Sequence, residues 1–498
     1  MPARRIHPHG TVAADALADG LAALAAELEL PEGFPPAVEA EIEGATPAGA
    51  EAMRGQLVGA DEREDATALP LVTLDPFGSK DLDQAFAIEP GADGSTLLHY
   101  AIADVGAHVI ASGAVEAESL VRGETVYLPG HRIPLHPPQL SEGLASLLPE
   151  QERLAVLWTL TIDGSGALVA DATHVRRARV RSTAQLDYAS AQADLDAGRP
   201  HPQIAALAEL GPRLVAEATR RGAIELPEPE QDLIGDTDAG WTLAWLPRTQ
   251  LDGWNAQLSL ATGRAAAALM LRAGRGLLRT LPPAPPEATA GMRDAARALG
   301  LAWPESQSLA ELLDGLTGTT ATELAFLEQC RILLRGAGYL LLDPATPPTA
   351  DAAFHAAVAA PYAHVTAPLR RLGDRYATES ALAAAHGVPV PDWAARQLPQ
   401  LPALLTAAAR KGGAANRGIV DLAEAVVLSG RVGELFDVAV VEVGEKDAAI
   451  QVEEPPVRAR CDGPGLIAGT RATAELTVAD VTKRRVRFAL APPPESGI

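Results

Sequence analysis

The segment Thr73-Leu74-Asp75-Pro76-Phe77-Gly78-Ser79-Lys80-Asp81-Leu82-Asp83-Gln84-Ala85-Phe86 reads as a strand, a loop and a second strand. Leu71 to Leu74 form a short apolar run, Pro76 and Gly78 interrupt it, and Ala85-Phe86-Ala87-Ile88 begin the next. Asp75, Asp81 and Asp83 therefore share one loop held at both ends. Three carboxylates crowded together resist ionising unless a cation shares the site. An all-oxygen set suits Mg²⁺, with Mn²⁺ as the substitute, better than zinc. Asp and Gly also populate turns for their own sake, so a solvated loop is the competing reading.

The whole chain bounds what such a site can serve. Its 498 residues allow about two to four domains and an ample core. A hydrophobic content of 47% with 4% aromatics describes an Ala/Leu-rich globular protein. The net charge of -23 argues against coating nucleic acid over the whole surface, so a polyanionic substrate needs a local basic channel. Cys330 and Cys461 match no zinc or redox spacing, which points to a reducing cytoplasm. No apolar run approaches about 18 residues and the first residues are too polar for a signal peptide, so no membrane association is expected. Walker, dinucleotide, zincin and nucleophile-elbow motifs are all missing.

Two further stretches follow in order. Tyr100-Ala101-Ile102-Ala103-Asp104-Val105 closes the second strand of a hairpin, and Tyr362-Ala363-His364-Val365-Thr366-Ala367-Pro368-Leu369-Arg370-Arg371-Leu372-Gly373-Asp374 lies much later. With the Asp loop, they resemble the signature of the ribonuclease II (RNB) family of exoribonucleases over roughly residues 65 to 385. The resemblance implies a Mg-dependent, hydrolytic 3′-to-5′ exoribonuclease that releases 5′-mononucleotides from single-stranded RNA, monomeric and without a small-molecule cofactor. Asp75, Asp81 and Asp83 would hold the metal with Gln84, which stands where the family usually has a fourth Asp. Arg370 would stabilise the transition state, since a guanidinium can take two phosphate oxygens. Tyr127 would stack a base near the 3′ end; a half-buried turn tyrosine is the alternative. Tyr362, His364, Thr366 and Arg371 would join Arg370 in binding RNA. Thr366 before Pro368 suggests a helix start whose free N–H groups attract phosphate, with Arg371 and Asp374 a surface pair. Val365, Ala367 and Leu372 depart from the family pattern, and so do Ser259 and Leu260, where several relatives offer acidic side chains to the ribose. Gln84 keeps a second reading open, a catalytically weak RNA-binding protein of the same fold.

The expected fold is α+β. Residues 1–62 form a small helical, possibly winged-helix module, with Leu17, Leu21, Leu24 and Leu28 at helical spacing and no room for paired cold-shock barrels. It would guide RNA or simply pack as an arm. A DNA-binding regulator built on it is disfavoured by the acidic charge. Residues 63–415 form the catalytic domain, a mixed sheet with surrounding helices. Asp104 is assigned a structural role there. Arg177, Arg179 and Arg181 alternate onto one strand face, as a phosphate track or a solvated edge. Helices are expected over Asn255 to Arg279 and Thr319 to Leu342, within a helical stretch from about 203 to 345. Arg410 to Arg417, with two glycines, reads as a flexible basic joint. Residues 424–498 alternate as an OB-type barrel, with Lys483, Arg484, Arg485 and Arg487 to grip RNA or with no role beyond packing.

Overall fold

The computed structural model describes residues 11–43, 56–129, 131–227, 230–236, 240–246 and 249–491. Its centre is a sheet of six strands: β1 (Glu64–Asp65), β2 (Leu71–Asp75), β3 (Gln84–Pro90), β4 (Thr96–Ala103), β7 (Glu152–Ile162) and β8 (His174–Asp187). Between β4 and β7 the chain makes a separate small hairpin, β5 (Val126–Leu128) with β6 (His131–Ile133). The strand order is β1-β8-β2-β3-β4-β7, and β7 pairs with β8 as well. The long β8 serves both ends, antiparallel to β7 over its first half and parallel to β2 over its second, so the sheet curls until it closes on itself.

Strand alternation sorts the two faces by size. Ala85, Ala87, Ala101, Ala103 and Ala155 lie on one face, with Leu71, Leu82 and Leu140. Phe86, Ile88, Leu98, Tyr100, Ile102 and Trp158 lie on the other, covered by helices Pro202–Arg221, Gln250–Ala273 and Leu372–His386. Successive strand residues point to opposite sides, so these two sets are what the hairpin register dictates.

The Asp104 expectation fits its surroundings. Asp104 is buried with Arg177 and Arg63, and Arg177 also meets Glu379. The two guanidinium groups beside Asp104 hold its carboxyl below the usual range even though burial pushes the other way. Arg177 therefore cannot belong to a phosphate track. It is fully buried, whereas Arg179 pairs at the surface with Asp65. A run of alternating arginines does not reveal that its first member faces two buried acids from distant segments.

Three helical expectations are corrected. The helix starting after Thr249 stops at Ala273, and Gly274 ends it in the left-handed region at φ 65°. Residues Gly276–Thr280 then pair as a strand with Gly338–Leu342. The helix after Thr320 likewise ends at Cys330, with Gly336 and Gly338 leading into that partner strand. A further hairpin, Glu230–Asp236 with Gly240–Leu246, interrupts the region expected to be all helix. The basic joint is also no joint. Residues 410–417 lie inside one helix, Leu401–Leu428. Its glycines give close approach rather than flexibility: a Cβ at Gly412 would sit 2.1 Å from Glu124 Oε1, and one at Gly418 would sit 2.7 Å from Leu24 Cδ1.

That contact involves the amino-terminal helices, Thr11–Glu27 and Pro36–Glu43. Leu17 and Leu24 are buried, and the first helix packs along Leu401–Leu428. Among the described residues no strand precedes Glu64, so the described part carries no wing and has the form of a packing arm. At the other end, strands Leu435–Val443, Asp447–Val452, Val457–Asp462, Arg471–Asp480 and Arg485–Leu490 close a barrel in the order first-second-third-fifth-fourth. Val438, Ile450, Leu476 and Phe488 fill it, and Phe436 meets Phe488 edge to face at 5.5 Å. Three of its four expected basic residues have acidic partners. Arg487 pairs with Asp447 at 2.6 Å, Arg484 with Glu27 at 2.5 Å and Lys483 with Asp480 at 3.6 Å.

Removing one partner of a buried ion network leaves the others uncompensated, at about 3–5 kcal/mol. Arg177→Met should lower unfolding free energy by that order in urea titrations, whereas Arg179→Met, whose partner is exposed, should change it by less than about 1 kcal/mol.

Candidate active site

The loop between β2 and β3 is pinned from below. Ser146 Oγ accepts from Leu82 N at 3.0 Å and donates to Lys80 O at 2.6 Å, while Leu82 O accepts from Leu147 N. Gly78 turns at φ +83°, in the region that favours glycine. The side chain of Leu82 is fully buried, so its neighbours Asp81 and Asp83 are fixed by an apolar anchor between them.

Asp83 is the deepest carboxylate. Its Oδ1 accepts from Leu369 N at 2.7 Å, and its Oδ2 lies 3.5 Å from Arg370 Nε. Burial pushes its pKa up to about 8, against the pull of Arg370. Asp75 ends β2 with its Oδ2 buried and without a hydrogen-bond partner. Burial first and the charge of Asp81 second raise it to about 7. Asp81 instead meets Arg132 Nη1 at 2.8 Å, with the Tyr127 hydroxyl donating to its Oδ2 at 3.4 Å. Among the described residues, no three His, Cys, Asp or Glu side chains are assembled to hold one ion. The three carboxylates line one cavity, with Asp75 and Asp83 near Arg370 and Asp81 engaged by Arg132, an arginine that sequence reasoning passed over. The donor chemistry still fits a hard divalent ion, because Asp75 offers a buried, unsatisfied carboxylate oxygen and both raised carboxyls would gain from a cation.

Asp75, Asp81, Asp83, Gln84, Tyr100, Tyr127 and Arg370 line a cavity of about 340 Å³. A larger one of about 600 Å³ contains Ser259, Leu260, Arg279, His355, Tyr362 and His364. Gln84, Tyr188, Asn255 and Arg370 line both, so the two meet at a waist. Asn255 Nδ2 donates to the Tyr188 hydroxyl oxygen at 2.7 Å, and Tyr100 OH donates to Gln84 Oε1. Tyr100 and Tyr188 were not singled out in the sequence. The hairpin register was the available signal, because Tyr100 stands opposite Phe86 and diagonal to Gln84.

The Thr366–Asp374 stretch differs from its expected helix start. Residues 368–370 make a turn, and the helix begins at Leu372. Three of its N–H groups are already taken: Ala367 N donates to Asp374 at 2.8 Å, Leu369 N to Asp83, and Leu372 N to Gly123 O. Arg371 and Asp374 pair at 2.7 Å with Asp374 fully buried, so they brace the turn instead of decorating a surface. Thr366 shares its hydroxyl with Ser259 at 2.8 Å and with Arg371 at 3.3 Å. Thr366 and Arg371 line neither cavity. Tyr362 and His364 line the larger one, with rings edge to face at 5.5 Å. Arg370 alone of this stretch leans out, its side chain 45% exposed above Asp83.

The RNB domain family matches residues 63–382, more than half of the chain. The chain belongs to the RNB family. The RNase II-type exonuclease C-terminal S1 domain matches residues 434–491 of this RNB protein, the span of the closed barrel. Ribonuclease R of Vibrio parahaemolyticus is 31% identical over 362 residues, covering 70% of this chain and 41% of that protein. Exoribonuclease 2 of Yersinia pestis is 39% identical over 149 residues, covering 30% and 23%. The matched part thus spans less than half the length of these curated relatives. The fold of Mycoplasma genitalium RNase R, solved with ribose-methylated single-stranded RNA, superposes with a TM-score of 0.84 at 19% identity over 96% of this chain and 78% of that one. Among the described residues, no helix is long and apolar enough to cross a membrane.

The raised carboxyls have a sign that can be tested. Folding lifts Asp75 and Asp83 from 3.8 to about 7 and 8, so the metal-free folded chain binds more protons than the unfolded one across that window. Their contribution is most favourable below 3.8 and is lost as pH rises through about 7 and 8. Urea midpoints of the metal-free chain should fall from about pH 6 to 8.5, and Asp75→Asn with Asp83→Asn should flatten that fall. Mg²⁺ uptake near neutral pH should release protons, read by calorimetry in buffers of different ionisation enthalpy.

Proposed function

We propose that this RNB protein is a hydrolytic exoribonuclease that takes single-stranded RNA from its 3′ end and releases 5′-mononucleotides. The observation that carries the reading is the pair of buried, raised carboxyls, Asp75 and Asp83, facing the Arg370 guanidinium where two cavities meet. The direction and the product are carried over from the family resemblance. The cavity volumes lie in the range that admits a small organic group.

Asp75 and Asp83 would hold Mg²⁺, or Mn²⁺ in its place, with Asp81 joining once it leaves Arg132. Bound there, the ion would polarise the phosphate and make a water more acidic. Arg370, half exposed above Asp83, donates to the phosphate oxygens as charge builds on them during in-line attack of water on phosphorus. The bond from phosphorus to the 3′ oxygen of the preceding nucleotide breaks, and that oxygen takes a proton. Tyr127, with its ring exposed at the cavity mouth and its hydroxyl on Asp81, offers a stacking face to a base without reading its identity. Thr366 and Arg371 hold the turn that presents Arg370. The S1-type barrel would meet the strand farther from the cut. Both cysteines are buried, and the protein would act in the cytoplasm as a monomer.

Labelled oligoadenylate with Mg²⁺ should yield mononucleotides, and a chelator should stop it. Release of internal fragments instead would overturn the exonuclease reading. Arg370→Ala should slow single-turnover cleavage by about 10²–10³ while weakening RNA binding by far less. Unchanged cleavage with reduced affinity would make Arg370 a docking residue.

A further inference from the structure

We propose that Gln84 is a hydrogen-bond donor to a backbone phosphate of the bound strand, and not a metal ligand, with Tyr100 holding it in that orientation. This rests on the exoribonuclease reading above and assigns one residue within it. Gln84 begins β3 on the face that carries Phe86, and Tyr100 lies diagonally across the β3–β4 ladder on the same face. The register therefore brings the phenol to the amide before any loop is considered. The Tyr100 side chain is fully buried, and among the described residues its hydroxyl has one hydrogen-bond partner, Gln84 Oε1. A phenol that finds one acceptor gives its proton there, which turns the oxygen end of the amide toward Tyr100. The nitrogen end is left for the cavities.

What surrounds that nitrogen favours an anion. Gln84 is one of the four residues that line both cavities. Of the other three, Arg370 is a cation. The Tyr188 oxygen accepts from Asn255, which leaves its own proton for an acceptor. Asn255 uses its amide nitrogen on Tyr188 and on Leu74 O at 3.4 Å. Gln84, Tyr188 and Arg370 thus bring donors to the waist and Asn255 an acceptor oxygen, whereas Asp75, Asp81 and Asp83 line only the smaller cavity and Glu225, Asp252 and Asp314 only the larger. An amide oxygen already holding a phenolic proton is a weak cation ligand, and an N–H beside Arg370 suits a phosphate oxygen. Two jobs are separated here along one strand: Asp83 faces the cation site, and the next residue faces the strand.

The test uses the full chain and reads two bindings. Affinity for a single-stranded oligoadenylate is measured by fluorescence anisotropy in EDTA, and affinity for Mn²⁺ is measured without RNA by electron paramagnetic resonance. Gln84→Ala should weaken the oligonucleotide about tenfold and leave Mn²⁺ within about twofold. Gln84→Glu, which keeps an oxygen for Tyr100 but replaces the donor with a charge, should weaken the oligonucleotide further and tighten Mn²⁺. Tyr100→Phe should weaken the oligonucleotide without changing Mn²⁺. The same losses should appear with oligodeoxyadenylate, since phosphates are common to both; a loss confined to RNA would overturn the phosphate assignment. Weaker Mn²⁺ in Gln84→Ala with unchanged oligonucleotide affinity would overturn the proposal while leaving the exoribonuclease reading intact. A wild-type chain that binds neither oligonucleotide nor Mn²⁺ would sink both.

Discussion

Two carboxylates kept from water beside a single guanidinium set the terms for the rest of the molecule. Asp75 and Asp83 would each rather be neutral than ionised where they stand, and Arg370 offsets only part of that tendency. Such groups stay in place only if their backbone has no freedom to swing them into solvent. The closed sheet supplies that restraint at β2 and β3, Ser146 supplies it under the loop, and the turn at 368–370 supplies it from the far side through Leu369 N. Arg371, Asp374 and Thr366 hold that turn in shape. Residues almost three hundred positions apart are thereby committed to one small volume.

The acidic surface follows the same logic at longer range. With a net charge of -23, the protein cannot attract a polyanion everywhere. Most of the barrel's arginines and its Lys483 are balanced by nearby acids, so their field is local. The waist between the cavities is different, because donors there outnumber acceptors.

Much of this was legible in the chain, for reasons that can be named. The Asp loop, the hairpin behind it and the barrel are local patterns of turn residues and alternating side chains, and these survive translation into structure. What escaped depends on distant segments. Arg177 looks like one of several arginines on a strand until Asp104 and Glu379 arrive beside it. The helix ends at Ala273 and Cys330 give way to paired strands because each strand finds the other, which neither stretch reveals alone. Gly412 and Gly413 read as a hinge by composition, yet the close approach of Glu124 at Gly412 shows why a small residue belongs there. Arg132 was invisible for a similar reason, since the strand that carries it is only three residues long and its partner Asp81 lies 51 positions earlier.

The helix Leu401–Leu428 carries that last point into practice. It touches the amino-terminal arm, the strand pair at 126–133 and two strands of the barrel along one continuous rod. Anyone dividing the gene into a catalytic piece and a barrel piece would be tempted to cut at the glycines, where linkers usually lie. That cut would sever a rod in mid-span and strip Leu24 and Leu422 of the surfaces they pack against. The halves would emerge sticky and poorly soluble, and the failure would say nothing about whether either can fold when the rod is left whole.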